Sequence, residues 1–383
     1  MTPAARISAA ITILDSILAG TAAEAALLRW SRASRFAGSG DRSAIRDLVF
    51  DSLRRLYSRA DLGRGLTGRG LMLGMCRDTG QDPASLFTGL HHAPAALSAE
   101  ELAAGAISAP VGRRDLPEWI WPQWQASLGD AAETVALAMR ERAPVWLRVN
   151  HLRAEPAGAL QALARDGIDA QPHPALGSAL CVQAGARRIA TSTAYRDGLV
   201  ELQDLSPQWA CEMLPDRGSL LDYCAGGGGK ALALAARGLG PITVHDADAK
   251  RMVDLPARAA RAGVRIDLVP PGRVLGRFDL VVADVPCSGS GTWRRTPDAK
   301  WRLMPDDLSD VTALQARILQ EAARHVAPGG MLAYMTCSLL RCENQDQIAK
   351  FLKDSPDFTL IDEELFTPLT ASDGFYLGQL RRR

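Results

Sequence analysis

Leu220-Leu-Asp222-Tyr-Cys224-Ala225-Gly226-Gly227-Gly228-Gly229-Lys230 places a glycine run directly after a strand-length apolar segment. Glycine admits positive φ and lets a ligand approach the backbone without meeting a Cβ. A strand running into such a turn and then into a helix is the unit of nucleotide-binding α/β sheets, whose ligands sit beyond the carboxyl ends of the strands. A P-loop would continue with Ser or Thr after its lysine, and Ala231 stands there instead.

The same alternation recurs downstream. Ser219–Tyr223, Ile242–His245, Val264–Val269, Leu280–Ala283 and Met331–Met335 are short apolar runs, most of them separated by helical stretches. This predicts a Rossmann-like, mostly parallel sheet over residues 206–383, with Phe375–Leu380 as a late edge strand. Ile242-Thr-Val-His-Asp246 ends in a carboxylate about twenty positions after the glycine turn, where it can accept from both hydroxyls of a ribose. The bland alternative is a cap for the next helix. At this point a nicotinamide dinucleotide and S-adenosylmethionine both remain open.

Residues 1–128 read differently. Ile7, Ala10, Ile11, Leu14, Ile17 and Leu18 recur at helical spacing until Gly20, and Thr21-Ala-Ala-Glu24 has the form of a capping box. A further helix from about Asp41 carries Ile45, Leu48, Val49, Leu53 and Leu56 on one face and Arg42, Arg46 and Arg54 on the other. Helical stretches at Ala84–Leu90 and Leu116–Ala126 complete an all-α bundle. Between the two lies a small α/β connecting subdomain, residues 129–205, with strands around 144–150, 181–183 and 198–203.

A net charge of +1 conceals segregation: ten arginines and four aspartates between Arg29 and Arg69 leave +6. Such a run is either a solvated helical face or a phosphate-facing surface, since the guanidinium fork matches phosphate oxygens. Seven scattered cysteines show no zinc spacing, which argues for reduced thiols and no metal. No apolar run approaches the ~18 residues of a membrane span and no signal pattern opens the chain, so it reads as cytoplasmic.

Two segments select the chemistry: Phe278-Asp-Leu-Val-Val-Ala-Asp284-Val-Pro-Cys287-Ser-Gly-Ser-Gly291 and Pro328-Gly-Gly-Met-Leu-Ala-Tyr-Met-Thr336-Cys337-Ser338. Each sets a cysteine just beyond an expected strand end. A lone buried cysteine is ordinarily a small hydrophobe; two in such positions within one ligand-binding frame suggest thiol chemistry. Carbon 5 of cytosine is too poor a nucleophile to take a methyl group directly. A thiolate adding to carbon 6 makes carbon 5 enamine-like, dividing one hard step into easier ones. A carboxylate such as Asp284 can hold the cytosine amino group and ring nitrogen and help protonate that nitrogen.

These motifs resemble those of the RsmB/Sun-type RNA (cytosine-5)-methyltransferase family, and the resemblance extends over nearly the whole chain. It implies S-adenosylmethionine as cofactor, with Cys224, Ala225, Gly226, Gly227, Gly228, Gly229, Lys230, Asp246 and Asp284 around it. It implies Cys337 as nucleophile, Cys287 as the thiol assisting product release, and Asp284 as a catalytic carboxylate. It also implies a NusB-like N-terminal RNA-binding domain and a substrate-side segment Arg294-Arg295-x-Pro-Asp-x-Lys300-Trp301. Arg42, Arg46, Arg294, Arg295 and Lys300 are the expected RNA contacts. The substrate implied is 16S rRNA, with tRNA also compatible, and a monomer is the plainer expectation. Two departures bear on the cofactor. The family's Cys-Ala-Ala-Pro-Gly-Gly-Lys loop has glycine here at 226 and 227, and the third strand is followed by Pro270-Pro271-Gly272 where the family carries an aspartate near the adenine. Weaker cofactor affinity is expected from the second. The rival readings are a DNA cytosine-5 methyltransferase, which leaves Thr-Cys-Ser unexplained, and an RNA-binding assembly factor that has lost turnover.

Overall fold

The structure, a computed structural model, describes residues 1–103, 114–216 and 218–383. It divides into two compact units: residues 1–142 with 293–304, and residues 143–292 with 305–383.

The first unit is helical. Helix α1 (Pro3–Leu18) starts with proline in its first turn and the Thr2 hydroxyl accepting from Ala5 N, and it buries Ile7, Ala10, Ile13 and Leu14. It is followed by α2 (Ala23–Ala33), α3 (Ser39–Arg54), α4 (Leu56–Gly63) and α5 (Gly68–Asp78). Ile45, Val49 and Leu53 of α3 and Leu71, Met72 and Leu73 of α5 join α1 in one core. Two local expectations are corrected. The Thr21–Glu24 capping box does not form: the Thr21 hydroxyl accepts from Ser16, and the Glu24 carboxylate is held by the Arg46 guanidinium. The Ala23 N–H at the start of α2 donates instead to Asp298, far away in sequence. Ala84–Leu90 is not a helix, because Pro83–Ser85 forms only a 3₁₀ turn capped by Asp82 before Leu86 and Phe87 plunge into the core.

The second unit contains two sheets. The smaller is antiparallel, ordered β2-β3-β1-β4, from β1 (Val145–Val149), β2 (Asp169–Pro172), β3 (Ala179–Ala184) and β4 (Val200–Leu202). Leu147, Val149, Leu180 and Val200 on one face bury against Ala159, Ala162 and Leu163 of the helix Pro156–Arg165.

The larger sheet has β5 (Leu220–Asp222), β6 (Ile242–His245), β7 (Asp267–Val269), β8 (Phe278–Asp284), β9 (Val326–Thr336), β10 (Phe358–Phe366) and β11 (Phe375–Arg382). Its order is β10-β11-β9-β8-β5-β6-β7. β7, β6, β5, β8 and β9 run parallel, with Leu220 opposite both Ile242 and Leu280. Alternate residues point into opposite layers. Leu220, Val282 and Met335 pack on helices from 205–262, while Leu221, Val281 and Tyr334 pack on the helices Pro305–Ala323 and Gln345–Asp354. Burial on both faces explains why these strands read as continuous apolar runs.

β11 is not an edge strand. It lies antiparallel between β9 and β10, and β10 holds the edge with Asp362, Glu363 and Glu364 exposed. Charge on an exposed edge discourages pairing with another chain.

Candidate active site

All the features of the site lie in the second unit, at the carboxyl ends of β5, β6, β8 and β9. Beyond β5 the glycine loop turns into the helix Gly229–Ala235. Gly228 takes φ +79°, and a Cβ there would lie 2.1 Å from Leu255 Cδ1, so any other residue would be strained and would have to displace Leu255. The loop is pinned without the family's proline. Gly226 N donates to Asp246 at 2.9 Å, and the Gly227 carbonyl accepts from Arg258, itself paired with Glu201.

Asp246 ends β6 as expected. Its carboxylate is nearly inaccessible, also accepts from Asp248 N at 3.0 Å and forms an ion pair with Arg251 Nη1 at 3.0 Å. Arg251 is half exposed, whereas the Asp246 carboxylate it pairs with is only 2% exposed. Asp222, at the end of β5, is fully buried. One oxygen accepts from Ala231 N at 3.2 Å, and Oδ1 has no partner. Burial, with Asp284 nearby, raises this carboxyl to about 7. An orphaned buried carboxylate oxygen suits the ammonium of an amino-acid group, and the glycine cradle with Asp246 suits a nucleoside. The residues therefore fit S-adenosylmethionine. Beyond β6 and β7, Gly272 N donates to His245 Nε2 at 3.3 Å, and His245 Nδ1 lies 2.8 Å from the Tyr223 carbonyl.

The two cysteines, fifty residues apart in sequence, meet: Cys287 Sγ and Cys337 Sγ are 3.3 Å apart. β8 and β9 are neighbours, with Asp284 opposite Met335. The loops beyond them are stitched together, Val285 N donating to the Met335 carbonyl at 3.0 Å and Gly291 N to the Cys337 carbonyl at 2.9 Å. Lys230, from the glycine-loop helix, pairs with Asp284. Burial works against the Lys230 ammonium, but Asp284 outweighs it and the pKa is raised.

The thiols are electrostatically unlike. Cys337 is drawn below the ordinary thiol pKa, first by the hydrogen bond from Cys287 and also by the Lys230 ammonium, against burial and Asp284. Cys287 is pushed well above it, by the same bond and then by burial. Cys224 is also pushed up, by burial and then Asp222, so it stays a thiol. The arrangement sets two thiols of unlike acidity beside the Lys230–Asp284 ion pair.

Several polar residues absent from the motif reading complete the site. Glu343 is buried beneath the two cysteine loops. Asn344 accepts from the Thr336 hydroxyl at 2.6 Å and donates to the Ser338 carbonyl at 2.9 Å. Nothing in a lone Glu-Asn pair marks these roles before the strands are assembled.

The expected RNA contacts all belong to the first unit. Arg42, Arg46 and Arg295 are exposed. Lys300 and Arg294 are corrected. Lys300 is only 2% exposed, its ammonium donating to the carbonyls of Asp115 and Arg54. Arg294 is buried and its carbonyl accepts from Arg54 Nε at 2.9 Å. Neither side chain presents a charge to phosphate. Among the described residues no group of three or more His, Cys, Asp or Glu could hold a metal, and no helix is long and apolar enough to cross a membrane.

Comparison with known proteins agrees with this geometry. Residues 213–379 match the family model for the 16S rRNA methyltransferase RsmB/F, and residues 116–187 match the ferredoxin-like domain of RsmF/B-like methyltransferases. Ribosomal RNA small subunit methyltransferase B of Xanthomonas campestris pv. campestris is 35% identical over 286 residues, covering 70% of this chain and 62% of that one. The Vibrio cholerae protein of the same name is 31% identical over 301 residues, covering 74% of this chain and 69% of that one. A methyltransferase homologue from Pyrococcus horikoshii shares the fold, with a TM-score of 0.61 at 24% identity, covering 72% of this chain and 100% of that one. The alignments span 62% and 66% of the first two curated relatives. With its glycine loop, its two converging cysteine loops and these matches, the chain belongs to the RsmB/F family of 16S rRNA methyltransferases.

Proposed function

We propose that this protein methylates carbon 5 of a cytosine in small-subunit ribosomal RNA, through a covalent bond between Cys337 and the base. The observation that carries this reading is the pair of unequal thiols 3.3 Å apart, beside the Lys230–Asp284 ion pair.

Cys337, held toward its thiolate, adds to carbon 6 and forms the sulfur–carbon bond. The ring's electron density then concentrates at carbon 5, while Asp284 binds the amino group and assists protonation of the ring nitrogen. S-adenosylmethionine, when bound by the loop 224–230, Asp246 and Asp222, supplies an electrophilic methyl group to that carbon. Carbon 5 next gives up its proton to a base, and the bond to Cys337 breaks. Cys287, kept as a thiol against the same sulfur, assists this release. The target must leave its stack to reach the thiols, which costs little in an RNA loop or bulge. Residues 1–128 form the RNA-binding domain in this reading, with Arg42 and Arg46 among its contacts.

Incubating the protein with 16S rRNA and S-adenosylmethionine and digesting the RNA to nucleosides tests the proposal. The expected product by mass spectrometry is 5-methylcytidine. A methyl group on ribose, on another base or on another position of cytosine overturns it.

A further inference from the structure

Glu343 belongs to neither cysteine motif, yet its carboxylate is the point where both cysteine loops are tied. It is fully buried. One oxygen accepts from Ser288 N at 2.8 Å and from Gln315 Nε2 at 2.9 Å. The other accepts from the hydroxyls of Ser288 and Ser338. Ser288 directly follows Cys287 and Ser338 directly follows Cys337, so a single side chain grips the residue next to each thiol. The tie is reinforced around it. Ser290 Oγ lies 2.9 Å from Ser338 Oγ and accepts from Leu339 N at 2.8 Å. Gln315 also donates to the Pro286 carbonyl at 2.9 Å.

Burying a carboxylate costs several kcal/mol, and well-packed apolar side chains commonly serve a core as well or better. Four donors on one carboxylate leave the group little freedom, and charge-assisted bonds are the short, strong kind. A group this costly and this fully satisfied, spanning two loops at their cysteines, controls geometry.

We propose that Glu343 is a positioning residue that holds the Cys287 and Cys337 sulfurs in contact, so that Cys287 can donate to Cys337. This rests on the reading of both thiols as the reacting pair. Its test uses a proximity measurement that needs neither RNA nor methyl transfer. Diamide takes up two electrons and two protons from a pair of neighbouring thiols and leaves a disulfide. The rate of Cys287–Cys337 linkage, followed by peptide mass spectrometry, therefore reports how often the sulfurs meet.

In Glu343→Ala the linkage is expected to slow at least ~10-fold. kcat should fall by roughly 100-fold, the scale of an ångström's misplacement, while KM for S-adenosylmethionine stays within about 2-fold. Glu343→Gln should restore both rates to within about 3-fold of the wild type. Its amide oxygen still accepts from Ser288 N and Gln315, and its amide nitrogen can donate to the two serine hydroxyls. Ser338→Ala, which cuts only the Cys337 side of the tie, should slow linkage by an intermediate amount and serves if Glu343→Ala does not fold. Unchanged linkage in the alanine variants overturns the proposal, as does slowed linkage with unchanged kcat, or Glu343→Gln as impaired as Glu343→Ala. Slowed linkage in a protein that makes no 5-methylcytidine at all would overturn the functional reading and leave the tie between the loops intact.

Discussion

Cys287 and Cys337 are buried alike, and the hydrogen bond between them is the largest source of their difference, drawing Cys337 down and pushing Cys287 up. The Lys230 ammonium adds to the lowering of Cys337, while Glu343 weighs against ionisation of both thiols. Because the thiolate is the reactive form of cysteine, this asymmetry is measurable without RNA. Removing the Cys287 thiol deletes the largest influence holding the Cys337 pKa down. In Cys287→Ala, alkylation of Cys337 by iodoacetamide is expected to shift to higher pH and to slow at neutral pH. An unchanged pH profile would show that the hydrogen bond does not set the reactivity. The pair was legible in the sequence because each cysteine sits at the end of an apolar run, and neighbouring parallel strands bring their carboxyl ends together. Glu343 was not legible. Its four donors come from residues 28 to 55 positions away or from a turn of the same loop, and only the assembled sheet gathers them.

At the scale of elements, the glycine loop is a tightly constrained turn. Gly228→Ala would force a positive φ on alanine, at about 1–3 kcal/mol, and drive its Cβ into Leu255. The thermal midpoint should drop accordingly, and S-adenosylmethionine binding by calorimetry should weaken. Gly177→Ala, whose Cβ meets nothing within 4 Å, should leave both within error. Equal behaviour of the two variants would contradict the close packing of the loop. The parallel strands were readable from their apolar runs, whereas their order in the sheet appears only in the structure. The position of β11 was not readable either, because β10, which precedes it in the chain, takes the edge and leaves β11 between β10 and β9, an arrangement no local pattern announces. The Thr21–Glu24 signature shows the same limit from the other side. A correct local cap sequence lost its glutamate to Arg46 and its role to Asp298.

At the scale of the whole molecule, the charge count over residues 29–69 overstated what is available to phosphate. Arg54 and Arg59 are buried, Arg55 pairs with Asp78 and Glu141, and Arg69 with Glu101. A surplus of arginine in sequence says nothing about how many forks are spent internally. The chain belongs to the RsmB/F family, and the proposed function turns on the division of labour between the two thiols. The most direct measurement is to purify Cys287→Ala and Cys337→Ala after reaction with 16S rRNA and S-adenosylmethionine, digest protein and RNA, and map any cross-linked peptide by mass spectrometry. The account predicts that Cys287→Ala accumulates a cytosine adduct on Cys337, and that Cys337→Ala gives neither adduct nor methyl transfer. Full activity in Cys337→Ala, or an inert Cys287→Ala without adduct, would contradict it.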